Sequence, residues 1–272
     1  MSATCGEPMA GRTRGRPSSI WSGVGATRGR GSRYLDVLNE VDWQEHRKLL
    51  KVAFTLNVDA DSATYEIPYG TIGRTGRPRT QAERAKFEVP GQRWADVSAN
   101  DYGVSILNDS KYGWDYKGNV LRLSLLRSPI WPDSLADRGT HSFRFAVYPH
   151  AGDWREAGTV RMAAEYNVPL LAAYEEAHPG SVGKVVSFAS ARPANVEIAW
   201  LKRAEDSDAW VLRLVEWHGV SSEAVITVAC PLERARRANL LEDAAETLAV
   251  GGKTLILPVR PYEIATLLVE CK

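Results

Sequence analysis

Short runs in which apolar and polar residues alternate dominate the chain from residue 42 onward. Residues 119–126 read NVLRLSLL, in which leucines alternate with Arg122 and Ser124. A period of two is typical of a half-buried β-strand, because successive side chains of a strand point to opposite faces. Residues 141–149, HSFRFAVYP, alternate in the same way. We therefore predict a strand in each stretch.

Similar runs, rich in β-branched and aromatic residues and separated by Gly, Pro, Asn and Asp, recur along the chain. One helix is predicted from Trp154 to about Tyr166, because Gly152-Asp153 can cap its start and Val168-Pro169 ends it. Many short strands with one helix predict a mainly β fold built as β-sandwiches. The further predicted strands are 49–56, 63–69, 102–109, 183–189, 195–204, 208–217, 223–230, 253–259 and 263–270.

Composition divides the chain into three predicted parts. Residues 1–40 are rich in Gly, Arg and Ser without a sustained period, and we predict a disordered tail there. Residues 41–190 form a first β domain and residues 191–272 a second, smaller one, with the boundary at the turn-rich sequence ASARPAN. The tail could be a loose segment, an upstream misassigned start, a transit peptide or an RG-type RNA-binding segment. Its few aromatic residues disfavour RNA.

Charge and cysteine content narrow the class of protein. The net charge of +1 gives no general attraction to nucleic acid or anionic membranes. No apolar run approaches the ~20 residues of a membrane span, and the N-terminus lacks a signal-peptide core. The three cysteines have no motif spacing, so we predict neither a disulfide framework nor a zinc site, and interpret Cys230 and Cys271 as small buried apolar residues. This usage fits a cytoplasmic protein.

Several longer segments follow one another in a specific order. They are FEVPGQRWADVS (87–98), NDYGVSILNDSKYGWD (100–115), LRLSLLRSPIWPD (121–133), ADRGTHSFRFAVYPHAGDW (136–154) and VEIAWLKRAEDSDAWVLRLVEW (196–217). Together they resemble the C-terminal region of family 38 α-mannosidases, over roughly residues 42–272. The resemblance implies a truncated large β-sandwich of the galactose-mutarotase-like supersandwich type with one helix, followed by a small C-terminal β-sandwich.

The resemblance also implies a function. Family 38 enzymes hydrolyse α-mannosides with a zinc ion and a carboxylate nucleophile held by a separate N-terminal domain. None of the five histidines is followed by Asp two positions later, as in the family's metal motif, so we expect no catalytic residue, metal ligand or cofactor in this chain. We expect the chain to pack on and complete that catalytic domain, or to oligomerise, and to be inactive alone. The alternative is a stand-alone carbohydrate-binding or scaffolding β-sandwich.

The resemblance further implies that loops of the large sandwich help to wall the mannoside pocket. Carboxylate and amide groups can hydrogen-bond to sugar hydroxyls, and Tyr offers a stacking face. The competing interpretations are turn formation for the Asn and Asp residues and a structural salt bridge for the Arg. The six candidates are Asn108, Asp109, Lys111, Tyr112, Asp115 and Arg127.

Overall fold

The strands of this chain form two β units, and burial alternates along many of them. In the computed structural model, which describes residues 2–6, 20–27 and 31–272, the first unit ends at Leu170 and the second spans Leu171–Lys272. The predicted mainly β fold is confirmed, and none of the described helices has the length and apolar run needed to cross a bilayer.

The first unit is built from two antiparallel sheets. Its described strands are β1 (Ser2–Gly6), β2 (Ile20–Thr27), β3 (Leu35–Trp43), β4 (Leu49–Thr55), β5 (Ser62–Ile67), β6 (Gly70–Thr75), β7 (Val89–Pro90), β8 (Trp94–Ala99), β9 (Tyr102–Asn108), β10 (Gly113–Lys117), β11 (Val120–Arg127) and β12 (Gly139–Ala151). A five-stranded sheet has the order β1-β4-β11-β10-β7, and a seven-stranded sheet has the order β2-β3-β12-β9-β8-β5-β6.

The core of this unit lies between the two sheets. In β4, Leu50, Val52 and Phe54 are buried while the residues between them are partly exposed, as the period of two requires. The rings of Phe54 and Phe145, one from each sheet, meet edge to face with their centroids 5.6 Å apart. Such contacts close the two sheets into a β-sandwich.

The two helices of this unit differ from the single predicted one. Asp153 Oδ1 accepts from the backbone N–H of Arg155 and Glu156, at 2.8 and 3.1 Å, so it caps a turn as the sequence suggests. The helix proper, α2 (Thr159–Asn167), begins only after Gly158, whose φ of +68° interrupts the helical path. A second helix, α1 (Gln81–Arg84), was not predicted because it has only four residues.

The second unit is a smaller sandwich of two antiparallel sheets. Its strands are β13 (Ala189–Arg192), β14 (Val196–Arg203), β15 (Trp210–Glu216), β16 (Ser222–Val228), β17 (Leu232–Ala238), β18 (Ala244–Leu248), β19 (Val250–Gly251), β20 (Thr254–Val259) and β21 (Ile264–Cys271). One sheet has the order β13-β16-β20-β19 and the other β14-β15-β21-β17-β18. Leu212, Ile226 and Leu257 are fully buried in the core between them.

Described strands lie on both sides of the predicted limit at residue 40, and the predicted domain limits stay a prediction. Strands β1, β2 and the start of β3 fall within residues 1–40, and β3 is held by β2 on one side and β12 on the other. Residues 1, 7–19 and 28–30 of the predicted tail lie outside the described residues. The second unit begins at Leu171. The predicted strand 183–189 is absent before Ala189, because residues 183–188 have no pairing partner in the described ladders.

The interpretation of Cys230 and Cys271 as unpaired apolar residues is wrong. Their sulfurs form a disulfide, with Cα atoms 5.8 Å apart, although 41 positions separate them in sequence. The pairing arises because β17 lies beside β21, where Leu232 is the register partner of Cys271. Sequence spacing alone contains no signal for such a long-range pair.

Candidate functional site

The turn between β9 and β10 carries four of the six predicted sugar-contact residues, and Asn108 organises it. Asn108 is fully buried. Its Oδ1 accepts from the backbone N–H groups of Ser110 and Lys111, at 3.0 and 2.7 Å, and its Nδ2 donates to the carbonyl of Gln92 at 2.7 Å. All the polar atoms of this amide are therefore used inside the protein, which is a turn-forming role.

Asp109 and Lys111 lie beside β12. The Oδ2 atom of Asp109 accepts from the backbone N–H of Arg144 at 3.2 Å, and the guanidinium of Arg144 lies 3.8 Å from it. The ammonium of Lys111 lies 4.7 Å from the ring centroid of Phe143. Burial lowers the pKa of Lys111, while the carboxylates of Asp137 and Asp109 partly oppose that shift. Lys111 is thus a half-buried cation between two acids.

Tyr112 and Arg127 are the most accessible of the six. The side chain of Tyr112 is 55% exposed, and Arg127 is exposed at the end of β11. The backbone N–H of Arg127 donates to Asp137 Oδ2 at 3.0 Å. Asp137 therefore links Arg127 to Lys111, so the structure brings Asp109, Lys111 and Arg127 to one edge of the first sandwich.

Asp115 belongs to a different group of charges. It is buried on β10, and its carboxylate accepts from Lys51 Nζ and Arg122 Nη1, each at 2.7 Å. Lys51 also lies 3.2 Å from Glu88. Two cations already occupy the two oxygens of Asp115, so the carboxylate serves an ion network on the five-stranded sheet.

A buried polar network on the other sheet was missed by the sequence analysis. On the face opposite the main core, Asp96 of β8 accepts from Ser105 Oγ of β9 at 2.7 Å, and the same oxygen lies 2.8 Å from His150 Nε2 of β12. Ser105 Oγ also meets Thr159 Oγ1 of α2 at 2.8 Å. Gly103 makes room for the ring, since a Cβ there would lie 2.4 Å from His150 Cε1.

These residue types also occur in hydrolytic triads, but the arrangement is structural. Ser105 is fully buried, and the side chains of His150 and Asp96 are 2% and 1% exposed, so no substrate can reach them. Ser105 and His150 bond to one oxygen of Asp96, which is not the relay of nucleophile, base and orienting acid. The network fastens α2 to three strands. The sequence contains no signal for this network, because 54 positions separate Asp96 from His150.

The second unit contains a buried carboxylate that was also missed. Glu216 is fully buried at the end of β15. Burial alone raises the pKa of Glu216, but its hydrogen bonds outweigh burial and hold the pKa below its usual value. The donors are Asn195 Nδ2 and the backbone N–H groups of His218, Gly219, Val220 and Tyr262, at 2.8 to 3.2 Å.

The zinc ion that the resemblance implies for the intact enzyme does not fit this chain's described residues. Within residues 31–272, no three side chains of His, Cys, Asp or Glu come together as possible metal ligands. Asp96 and His150 are joined to each other and to Ser105 instead.

Each of the two units contains a segment that matches a protein-family model. Residues 26–135 match the model described as "Glycosyl hydrolases family 38 C-terminal domain". Residues 195–267 match "Glycosyl hydrolases family 38 C-terminal beta sandwich domain". The first match includes β3 to β11 of the first unit, and the second includes β14 to β20 and the start of β21 in the second unit.

Curated relatives and a solved structure agree with these matches. The chain is 37% identical to Alpha-mannosidase 2C1 of Homo sapiens over 243 residues, which are 88% of this chain and 23% of that protein. It is 36% identical to Alpha-mannosidase of Saccharomyces cerevisiae over 259 residues, 85% of this chain and 23% of that protein. An alpha-mannosidase structure from Enterococcus faecalis V583 shares the fold, with a TM-score of 0.74 and 18% identity over 88% of this chain and 28% of that one. The chain thus spans about a quarter of the length of these relatives.

Proposed function

This chain belongs to glycosyl hydrolase family 38 and corresponds to the C-terminal domains of its members, and we propose that it is the β-sandwich portion of an α-mannosidase. Its role is to pack on a zinc-dependent catalytic domain and complete it for hydrolysis of α-mannosides in glycan catabolism. On its own the chain is inactive. The proposal includes a cytoplasmic location, which fractionation of the source cells tests.

The observation that carries this proposal is the extent of the similarity. Both matched models describe C-terminal domains, and the relatives named alpha-mannosidase are about four times as long as the matched region. In this proposal, the catalytic groups reside in the remaining length of such a protein. The zinc ion supplies Lewis-acid chemistry there, outside the residues described for this chain.

Exposed apolar residues after α2 support a packing role. Leu170 and Leu171 are each 99% exposed, and Tyr174 is 91% exposed. Val185 and Phe188 follow at 93% and 72%. A run of large apolar side chains in water is unfavourable unless another surface covers it, and such patches mark interaction sites. A partner domain or a second copy of the chain would remove these side chains from water.

We propose that the edge formed by Asp109, Lys111, Tyr112 and Arg127 contributes to the mannoside pocket of the assembled enzyme. Tyr112 offers an exposed ring for stacking against a sugar, and Arg127 offers an exposed guanidinium. Asn108 and Asp115 support this edge and the sheet from inside, since their polar atoms already have partners. The alternative, a stand-alone carbohydrate-binding sandwich, is favoured by the same exposed Tyr112.

Complementation tests the proposal directly. The chain is expressed alone and together with the N-terminal three quarters of a family relative, and hydrolysis of an aryl α-mannoside is measured with zinc added. We expect no turnover by the chain alone and turnover by the co-purified pair. Turnover by the chain alone would refute inactivity, and failure to bind or activate the partner would refute completion of the catalytic domain.

A matched pair of variants tests the sugar-contact edge in the active complex. Tyr112→Ala and Arg127→Gln should raise KM or lower kcat, whereas Arg161→Gln, an exposed change on α2, should leave both unchanged. Binding of mannosides by the chain without a partner, lost in Tyr112→Ala, would favour the stand-alone carbohydrate-binding alternative.

A further inference from the structure

A cationic cleft opens beside β10 in the first unit, away from the edge described above. β7 pairs only with Gly113 and Trp114 of β10, so the strand beyond that point has an open side. The cleft there has a volume of about 500 Å³, within the range of pockets that bind small molecules. Its charged lining consists of Arg74, Arg84, Lys86 and Lys117 with the acids Glu83 and Asp115.

Arg74 is the central cation of this cleft. Its guanidinium lies 4.9 Å from the ring centroid of Tyr65, and its Nη1 donates to the carbonyl of Pro90 at 2.6 Å. Arg74 is half-buried, and this partial removal from water lowers its pKa. Among residues 31–272 it forms no salt bridge with a carboxylate. A half-buried guanidinium that is held in place and has no counter-anion can form an ion pair with a bound anion.

The two acids of the cleft do not neutralise it. Asp115 is already paired with Lys51 and Arg122, which lie outside the lining. Glu83 is the acid of a capping box, and its Oε2 accepts from the backbone N–H groups of Arg79 and Thr80 at 2.8 and 2.9 Å. Glu83 keeps its negative charge, which acts on Lys86. The four cations outnumber this one acid, so they leave a positive potential in the cleft.

The other three cations form the rim. Arg84, Lys86 and Lys117 are exposed, and within the described part of the chain none of them forms a salt bridge. The ammonium of Lys117 lies 5.9 Å from the ring centroid of Phe87, which holds it near the rim. An anion on Arg74 would be reached from several sides by these flexible side chains.

We propose that this cleft binds the phosphate group of a small molecule, either inorganic phosphate or a phosphorylated hexose. A planar guanidinium pairs with two phosphate oxygens at once, and lysines add charge without strict geometry. The volume accommodates a hexose ring in addition to the phosphate. This inference is independent of the proposed glycosidase role, because its test measures binding and requires no turnover.

Isothermal titration of the 272-residue chain with inorganic phosphate, a hexose 6-phosphate and the neutral hexose tests the proposal. We expect both phosphates to bind in the millimolar range or tighter, with affinity falling as salt rises, and the neutral hexose not to bind. Tighter binding of the ester assigns a phosphorylated hexose, and equal binding assigns free phosphate. Absence of binding by either phosphate, or equal binding of the neutral hexose, would overturn the proposal.

Variants separate this site from a general attraction of anions to a basic surface. Arg74→Gln should weaken phosphate binding at least ~10-fold, as loss of a charge-assisted contact does. Arg79→Gln removes the same charge from the same stretch but not from the lining, and should change binding less than ~3-fold. Lys117→Gln, an exposed change that leaves the core intact, should also weaken binding. Equal losses in Arg74→Gln and Arg79→Gln would refute a specific site.

Discussion

The imidazole of His150 and the carboxylate of Asp96 lie 2.8 Å apart in the buried interface between α2 and the seven-stranded sheet. Burial by itself would lower the pKa of His150. The hydrogen bond and charge of Asp96, with backbone carbonyl acceptors, outweigh burial and raise that pKa above its usual value of 6.5. The folded first unit therefore holds a proton more tightly than the unfolded chain does.

This relationship predicts a pH dependence of stability. The raised pKa contributes stability that is fully present below pH 6.5 and is lost as pH rises through the folded pKa. Denaturant unfolding of the first unit from about pH 6 to about pH 9 should show this loss. In His150→Asn the unit should be less stable, and the fall of its unfolding free energy with rising pH should become smaller by the contribution of His150. An unchanged slope in the variant would contradict the assignment to His150.

Replacing Gly103 should disturb the same network. A Cβ at position 103 would lie 2.4 Å from His150 Cε1 and 2.6 Å from Ser98 Cβ. We expect Gly103→Ala to reduce the free energy of unfolding by about 1–3 kcal/mol, as overpacking does. Gly73→Ala is the control, because no atom lies within 4 Å of its Cβ position. Thermal melting compares the two, and equal stabilities would show that the close approach is relaxed at no cost.

Glu216→Gln should destabilise the second unit. The carboxylate accepts five hydrogen bonds while buried, whereas an amide would turn two donors towards backbone N–H groups. We expect a loss of about 2–4 kcal/mol in denaturant unfolding. The exposed change Glu223→Gln on β16 should stay within about 0.5 kcal/mol of the wild type.

The lowered pKa of Glu216 also predicts how the stability of the second unit falls at acid pH. Because folding holds the pKa of Glu216 below its usual value of 4.5, its stabilisation is present above pH 4.5 and is lost as pH falls through the folded pKa. Circular dichroism during acid titration should follow this loss in the wild type. The Glu216→Gln protein should lack this contribution, and an identical acid transition in both proteins would assign the transition to other groups.

The exposed apolar stretch predicts self-association of the chain without its partner. Leu170→Ser combined with Leu171→Ser should shift sedimentation towards the monomer, because both side chains are fully in water and available to a second copy. Trp131→Ser, at an 83% exposed residue outside this stretch, is the control. A monomeric wild type at high concentration would contradict the prediction.

Local pattern was sufficient to predict about half of the described strands. In β11, leucines alternate with Arg122 and Ser124, and the structure buries the leucines as the period requires. The pattern was insufficient where an element is short or depends on a partner. β10 is absent from the predicted strands because only two apolar residues, Trp114 and Tyr116, mark its buried face. Residues 183–188 have a strand-like composition but belong to none of the described ladders, which begin at Ala189.

The sequence by itself determined the β-sandwich class and the family. The period of two indicates the strands, and the ordered local segments indicate the family. Only the tertiary structure decided which polar groups meet. It buried Asn108 and Asp115 with hydrogen-bond partners, and it joined Asp96 of β8 to His150 of β12 across the intervening β9. Among the described residues it left Arg74 without a carboxylate partner. The physical reason is that hydrogen bonds and ion pairs act over a few ångströms in space, whereas partners such as Asp96 and His150, or Lys51 and Asp115, are more than 50 residues apart along the chain.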